Sequence, residues 1–136
     1  MIVALAVLLQ ASAPAPAVVE IRPAAQRTLS GRFACDASVY EVQVTSTPAA
    51  GTGATLDRLV IAGKPVDAGS LAEARRMLSR LSDVQSLDVR CRDDGAGELS
   101  IYGVHVAAGA APRRARLRGV LHDGGASNLS VGVEQR

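Results

Sequence analysis

The chain has 136 residues, a net charge of +2 and no Trp; its only aromatic residues are Phe33, Tyr40 and Tyr102. So small a positive excess makes no case for a polyanion-binding protein, and without aromatics interleaved among the basic residues there is no platform for stacked bases, so nucleic acid is not an expected partner. Fourteen of the fifteen basic residues are Arg, and a core here has to be built from Leu, Val, Ile and Ala.

The N-terminus opens with an apolar run, Ile2 to Leu9, followed by an Ala-rich stretch ending in Ala15-Pro16-Ala17. That run has the length of a signal-peptide core and the small-x-small ending of a cleavage site; it is too short to span a hydrocarbon layer, so no transmembrane anchor is expected. Residues 1–17 are therefore expected to be a cleaved export signal, and residues 18–136 a single exported β-rich domain, periplasmic or secreted, large enough for one core. In that compartment the two cysteines, Cys35 and Cys91, are expected to form a disulfide.

In the mature part, Val18–Ile21 reads as an edge strand, since Pro23 lacks a backbone donor. Gly31–Cys35 alternates, with Phe33 and Cys35 on one face. Val39–Val44 alternates again, with Tyr40, Val42 and Val44 inward. Between them, Asp36-Ala37-Ser38 reads as a tight turn or a bulge. Thr45–Thr55, rich in Gly and small residues, reads as a loop. Leu59 and Ile61 mark a short strand; Leu56 is out of phase with them, which suggests that the strand starts after Asp57.

Asp67–Gly69 reads as a turn, and Ser70-Leu-Ala-Glu73 has the form of a capping box. The spacing of Leu71, Ala74, Leu78 and Leu81 then predicts one amphipathic helix over about 70–81, with Met77 on its flank and Arg76 as ionic partner of Glu73. A second strand set follows. Leu87, Val89 and Cys91 share a face; Asp93–Gly97 is a turn; Leu99, Ile101 and Gly103 share the next face, with Tyr102, Val104 and Val106 opposite, so that strand is either covered on both faces or shifts phase at Gly103. Residues 107–112 form a connection, and a closing hairpin places Leu117, Gly119 and Leu121 against Leu129, Val131 and Val133. About seven strands and one helix sum to an α+β fold: a mainly antiparallel sheet, or a two-sheet sandwich, with the helix on one face or end.

The chemistry-bearing residues are sparse. His105 lies between Val104 and Val106; His122 and Asp123 share a Gly-rich turn. No serine stands in a Gly-x-Ser-x-Gly elbow or a Ser-x-x-Lys motif, and no Gly-rich segment has the context of a dinucleotide or phosphate loop. Asp93 and Asp94 lack a calcium-loop pattern. No catalytic residue, metal ligand or cofactor is assigned. The densest charge run is Arg113–Arg118; on an extended strand Arg114, Arg116 and Arg118 project from one face, a candidate anion-binding surface. The leading expectation is a noncatalytic exported protein that binds an envelope or extracellular protein, by strand addition at a sheet edge or through the Arg face. The alternatives are a module for a small ligand, phosphate or anionic glycan, and a small hydrolase using His122, Asp123 or the Asp93–Asp94 turn.

Overall fold

The computed structural model describes residues 25–36, 38–48, 52–105, 109 and 111–135. The expected signal (1–17), the Val18–Ile21 strand and much of the 107–112 connection lie outside them. Among the described residues eight strands and one helix follow in the order β1 (Arg27–Ala34), β2 (Val39–Ser46), β3 (Thr55–Ile61), β4 (Lys64–Pro65), α1 (Ala68–Leu78), β5 (Leu81–Cys91), β6 (Gly97–His105), β7 (Arg113–His122) and β8 (Gly125–Val133). They form two antiparallel four-stranded sheets, β1-β2-β3-β4 (sheet A) and β5-β6-β7-β8 (sheet B). The fold is thus an α+β two-sheet sandwich, with the helix after the fourth strand.

Alternation gives each strand one apolar face, and the two faces meet as a single core. Tyr40, Val42 and Val44 supply it from β2, Leu56, Leu59 and Ile61 from β3, Leu99 and Ile101 from β6, and Ala115, Leu117 and Leu121 from β7. The Tyr40 hydroxyl, buried with its ring, donates to the carbonyls of Gly95 and Leu121 at 3.4 Å each.

Strand β3 begins at Thr55, before Asp57 rather than after it. The β2–β3 register slips at Gln43/Val44, where Arg58 faces Gln43 and Leu56 faces Val44. Asp57 is the bulged residue, its carboxylate accepting from the Thr45 and Thr55 hydroxyls. One extra residue on a strand resets its parity, so Leu56, Leu59 and Ile61 all reach the core.

The helix runs from Ala68 to Leu78 rather than over 70–81. Its cap is Asp67, not Ser70: the Asp67 carboxylate accepts from the Ser70 amide at 2.8 Å and the Ser70 hydroxyl at 3.2 Å. Asp in extended backbone is as good a cap as Ser and stands three residues earlier, so Ala68 and Gly69 become helical. At the other end, Leu81 belongs to β5 and is fully buried there. Leu71, Ala74 and Leu78 form the buried stripe, and Glu73 pairs with Arg76 at 3.8 Å on the exposed side.

The sandwich is closed differently along its two sides. On one, α1 bridges the sheets: it packs against β8 and β3, and Arg75 Nε donates to the Leu56 carbonyl at 3.2 Å. On the other, β1 and β5 lie side by side and run the same way. Arg27 meets Asp83 at 3.8 Å, a Cβ on Gly31 would sit 3.1 Å from Leu87 Cδ1, and Cys35 is bonded to Cys91 with 5.4 Å between their Cα atoms. Each pair is 56 positions apart. Among the described residues no backbone hydrogen bond joins the two strands. The disulfide does join the early strand to the strand that leaves the helix.

Gly103 stands on the core face of β6 because β5 bulges over it. The β5–β6 register breaks between Ser82 and Ser86, and a Cβ at Gly103 would lie 2.8 Å from the Ser82 carbonyl oxygen. The strand keeps one phase throughout, burying Leu99, Ile101 and Gly103 and turning Tyr102 outward.

Candidate functional site

The outer face of sheet B gathers the Arg side chains. The inward residues Ala115, Leu117 and Leu121 are buried in the core, so alternation sends Arg114, Arg116 and Arg118 to the opposite surface. The β6–β7 register sets Val104 opposite Arg114, Tyr102 opposite Arg116 and Ser100 opposite Arg118. On the other flank, Gly132 faces Arg116 and Ser130 faces Arg118.

These neighbours decide what each guanidinium can do. Arg116 lies with its Cζ 5.6 Å from the Tyr102 ring centroid and donates from Nη1 to the Tyr102 hydroxyl at 3.1 Å. A planar cation held over an aromatic face is partly desolvated and loses little further freedom when it binds. Arg118 donates to Glu98 at 3.0 Å, a cross-strand ion pair at an exposed position. Arg114 is exposed, with no side-chain partner among the described residues. Tyr102, 38% exposed, is the one large hydrophobic side chain exposed among the described residues.

Tyr102, Arg116 and Arg118 border an open depression of ≈ 480 Å³, completed by Ser130, Gly132, Val133 and Glu134. A side chain at Gly132 would meet nothing within 4 Å, so the floor of the depression is open to a ligand. The face combines an aromatic anchor, positioned guanidinia, small polar residues and two carboxylates. It suits shape-matched contact with a mixed polar and apolar surface better than attraction to a polyanion.

Sequence parity alone placed the three Arg on one face. It missed Tyr102 and Glu98 as their partners, which lie 14 and 20 positions away. Only the register of β6 on β7 reveals them, and no short turn between those strands fixes that register from sequence.

The other candidates are distributed among turns. His122 Nδ1 accepts the Gly124 amide at 3.1 Å, so its own turn occupies that ring nitrogen. Asp123 borders a cavity with Lys64, Asp67 and Gly124, whereas Asp93 and Asp94 border another with Arg90, Arg92 and Glu98. Asp94 accepts the Ala96 amide at 3.0 Å and pairs with Arg92 at 3.5 Å, contacts that shape the β5–β6 turn. His105 ends β6 half-buried, opposite Leu81 and Arg113. Among the described residues, no three His, Cys, Asp or Glu side chains are grouped to hold a metal ion. Among the described residues, the perturbed titratable group is Asp67, whose carboxyl is held below the usual range by the Ser70 amide and hydroxyl; this is the helix cap.

No helix among the described residues is long and apolar enough to cross a membrane. No family model, curated protein or solved structure matches this chain.

Proposed function

We propose that this protein works in an oxidising compartment, periplasmic or extracellular, as a noncatalytic binding protein whose partner docks on the outer face of sheet B. The observation that carries the reading is the Tyr102–Arg116 pair: an exposed aromatic ring with a guanidinium fixed on it, beside an open floor at Gly132. Tyr and Arg are the residues over which protein interfaces concentrate their binding energy. The Cys35–Cys91 bond supports the compartment, because structural disulfides persist where thiols are not kept reduced.

Of the two docking modes the sequence suggests, face contact is favoured over strand addition. The long edges of β1 and β5 shield one another, β8 has α1 packed against it, and β4 is only two residues long. A protein partner is favoured over an anionic glycan because Arg118 is already neutralised by Glu98 and Glu134 lies at the rim.

A photo-crosslinking residue at Ser130, within this face, is expected to trap a discrete protein partner in intact cells of the native host; the same residue at Arg58, on the outer surface of sheet A, is not. Tyr102→Ala or Arg116→Ala should lower trapping by about tenfold or more, the effect of a hot spot of roughly 2 kcal/mol. Each should change folding stability by no more than about 1 kcal/mol, the worth of a surface cation–π pair. Equal trapping from Ser130 and Arg58, or trapping indifferent to both substitutions, would rule this function out.

A further inference from the structure

Two hairpin turns, one from each sheet, border a single cleft. In sheet A, Ile61 pairs with Lys64 around the two-residue turn Ala62-Gly63; in sheet B, His122 pairs with Gly125 around Asp123-Gly124. The second turn is seated against the chain that joins β4 to α1, since a Cβ on Gly125 would lie 3.6 Å from Val66 Cγ1 and 3.7 Å from Ser70 Cβ. The cleft measures ≈ 560 Å³ and is lined by apolar Ile61, Pro65 and Val66 and by charged Lys64, Asp67 and Asp123. That volume falls within the span of about 300–1,000 Å³ found for small-molecule sites.

The three charged groups are not equivalent. Asp67 is engaged in the helix cap, one carboxylate oxygen accepting from the Ser70 amide and the other from the Ser70 hydroxyl. Lys64, the only lysine of the chain, and Asp123 have no side-chain partner among the described residues. They border the same cleft and yet do not pair with each other. A purely anionic ligand would meet Asp67 and Asp123. A metal ion would meet Lys64, and no three His, Cys, Asp or Glu side chains are grouped to hold one among the described residues. A ligand that carries both signs close together, with an aliphatic group attached, suits the cation, the carboxylate and the apolar wall at once.

We propose that this cleft binds a free aliphatic α-amino acid, with its carboxylate on Lys64, its ammonium on Asp123 and its side chain against Pro65 and Val66. The charge of Asp67 adds to the attraction for the ammonium end. Ala62 fits the same reading. Its φ of 52° and the 78° of Gly63 make a turn whose first position is usually Asn, Asp or Gly. Ala there leaves that part of the cleft lining without a polar side chain to compete for either charge. The cleft shares no residue with the depression beside Tyr102 and Arg116, so this site does not rest on the docking face of sheet B.

The test is a chemical-shift titration of the ¹⁵N-labelled protein, read at the amides of Gly63, Lys64, Gly124 and Gly125, with leucine, N-acetylleucine (no ammonium) and leucinamide (no carboxylate). Leucine is expected to shift these amides saturably, and each analogue to bind about tenfold more weakly or worse, the loss of one charge-assisted contact. Asp123→Asn should weaken leucine by about tenfold and leave N-acetylleucine unchanged; Lys64→Gln should weaken leucine by about tenfold and leave leucinamide unchanged. A turn that matters only for folding would not give this matching of variant to analogue. The proposal is overturned if leucine gives no saturable shift, if the three compounds bind alike, or if either variant weakens all three equally.

Discussion

The two sides of the sandwich meet the same requirement by different physics. On the α1 side, an amphipathic helix lays Leu71, Ala74 and Leu78 into the gap between β3 and β8, so closure comes from apolar burial and is spread over many contacts. On the β1–β5 side no element among the described residues covers the seam: Leu29, Phe33 and Leu87 pack half-buried along it, and one covalent bond, Cys35–Cys91, fastens its end. Burial acts on the native state, by removing apolar surface from water. A cross-link acts largely on the unfolded chain, by restricting its freedom. The side closed by burial should therefore weaken gradually as contacts are trimmed, whereas the contribution of the bond on the other side should be lost in one step when it is broken.

Breaking the bond gives the largest expected effect. For a loop with sequence separation 56, chain entropy assigns the disulfide about 4 kcal/mol. The pair Cys35→Ser and Cys91→Ser should lower the urea midpoint accordingly, and the loss should match that on reducing the wild type. If both losses depart from that figure by more than about 1 kcal/mol, the bond does more than restrict the unfolded chain, and the contrast between the two sides needs revision.

Trimming the helix side comes next. Leu78 is 1% exposed, at the C-terminal end of the buried α1 stripe; Leu78→Ala should cost about 3 kcal/mol, within the range for a buried Leu. Combined with loss of the disulfide, the two effects should add, because the sites lie on opposite sides of the core. A coupling above about 1 kcal/mol would mean that the sides fold as one unit and not as two closures.

The smallest effect probes how α1 starts. The Asp67 carboxyl is held below its ordinary range, so its capping contribution is complete above the pKa of the unfolded chain and is lost as pH falls through the lower folded value. Asp67→Ala should therefore lower Tm slightly near neutrality, and the gap to wild type should narrow once pH drops below the usual carboxylate range. Asp67→Asn, which keeps an acceptor for the Ser70 amide, should lie between them. A gap that widens in acid would show that the cap is not Asp67.

Much of this was legible in the residues. The alternation of Tyr40, Val42 and Val44 and of Leu99 and Ile101, the three- and four-residue spacing of Leu71, Ala74 and Leu78, and the pairing of Glu73 with Arg76 are local patterns, and the structure keeps them. So are the common face of the three Arg and the link between the two cysteines. What went astray turned on competition between near neighbours. Asp67 and Ser70 are both good caps, and the choice between them depends on where β4 delivers the chain. Leu81 fits the helical stripe as well as it fits the start of β5, and the bond from the Ala54 amide to its carbonyl at 2.6 Å shows the strand's surroundings claiming it.

The candidate site shows the same division. Parity along a single strand is a property of the chain, because successive side chains point to opposite sides whatever lies beside them. That sufficed to put Arg114, Arg116 and Arg118 on one surface. What lies beside them is a property of register, and a bulge of one residue, as at Asp57 or in β5, changes which faces meet. Away from the bulges at Asp57 and in β5, local periodicity thus determined which residues of this protein turn inward and which outward. The tertiary structure alone decided that Tyr102 would hold Arg116, that Glu98 would hold Arg118, and that β1 and β5 would meet edge to edge, because those contacts depend on how separate strands are aligned and no run of neighbouring residues encodes that alignment.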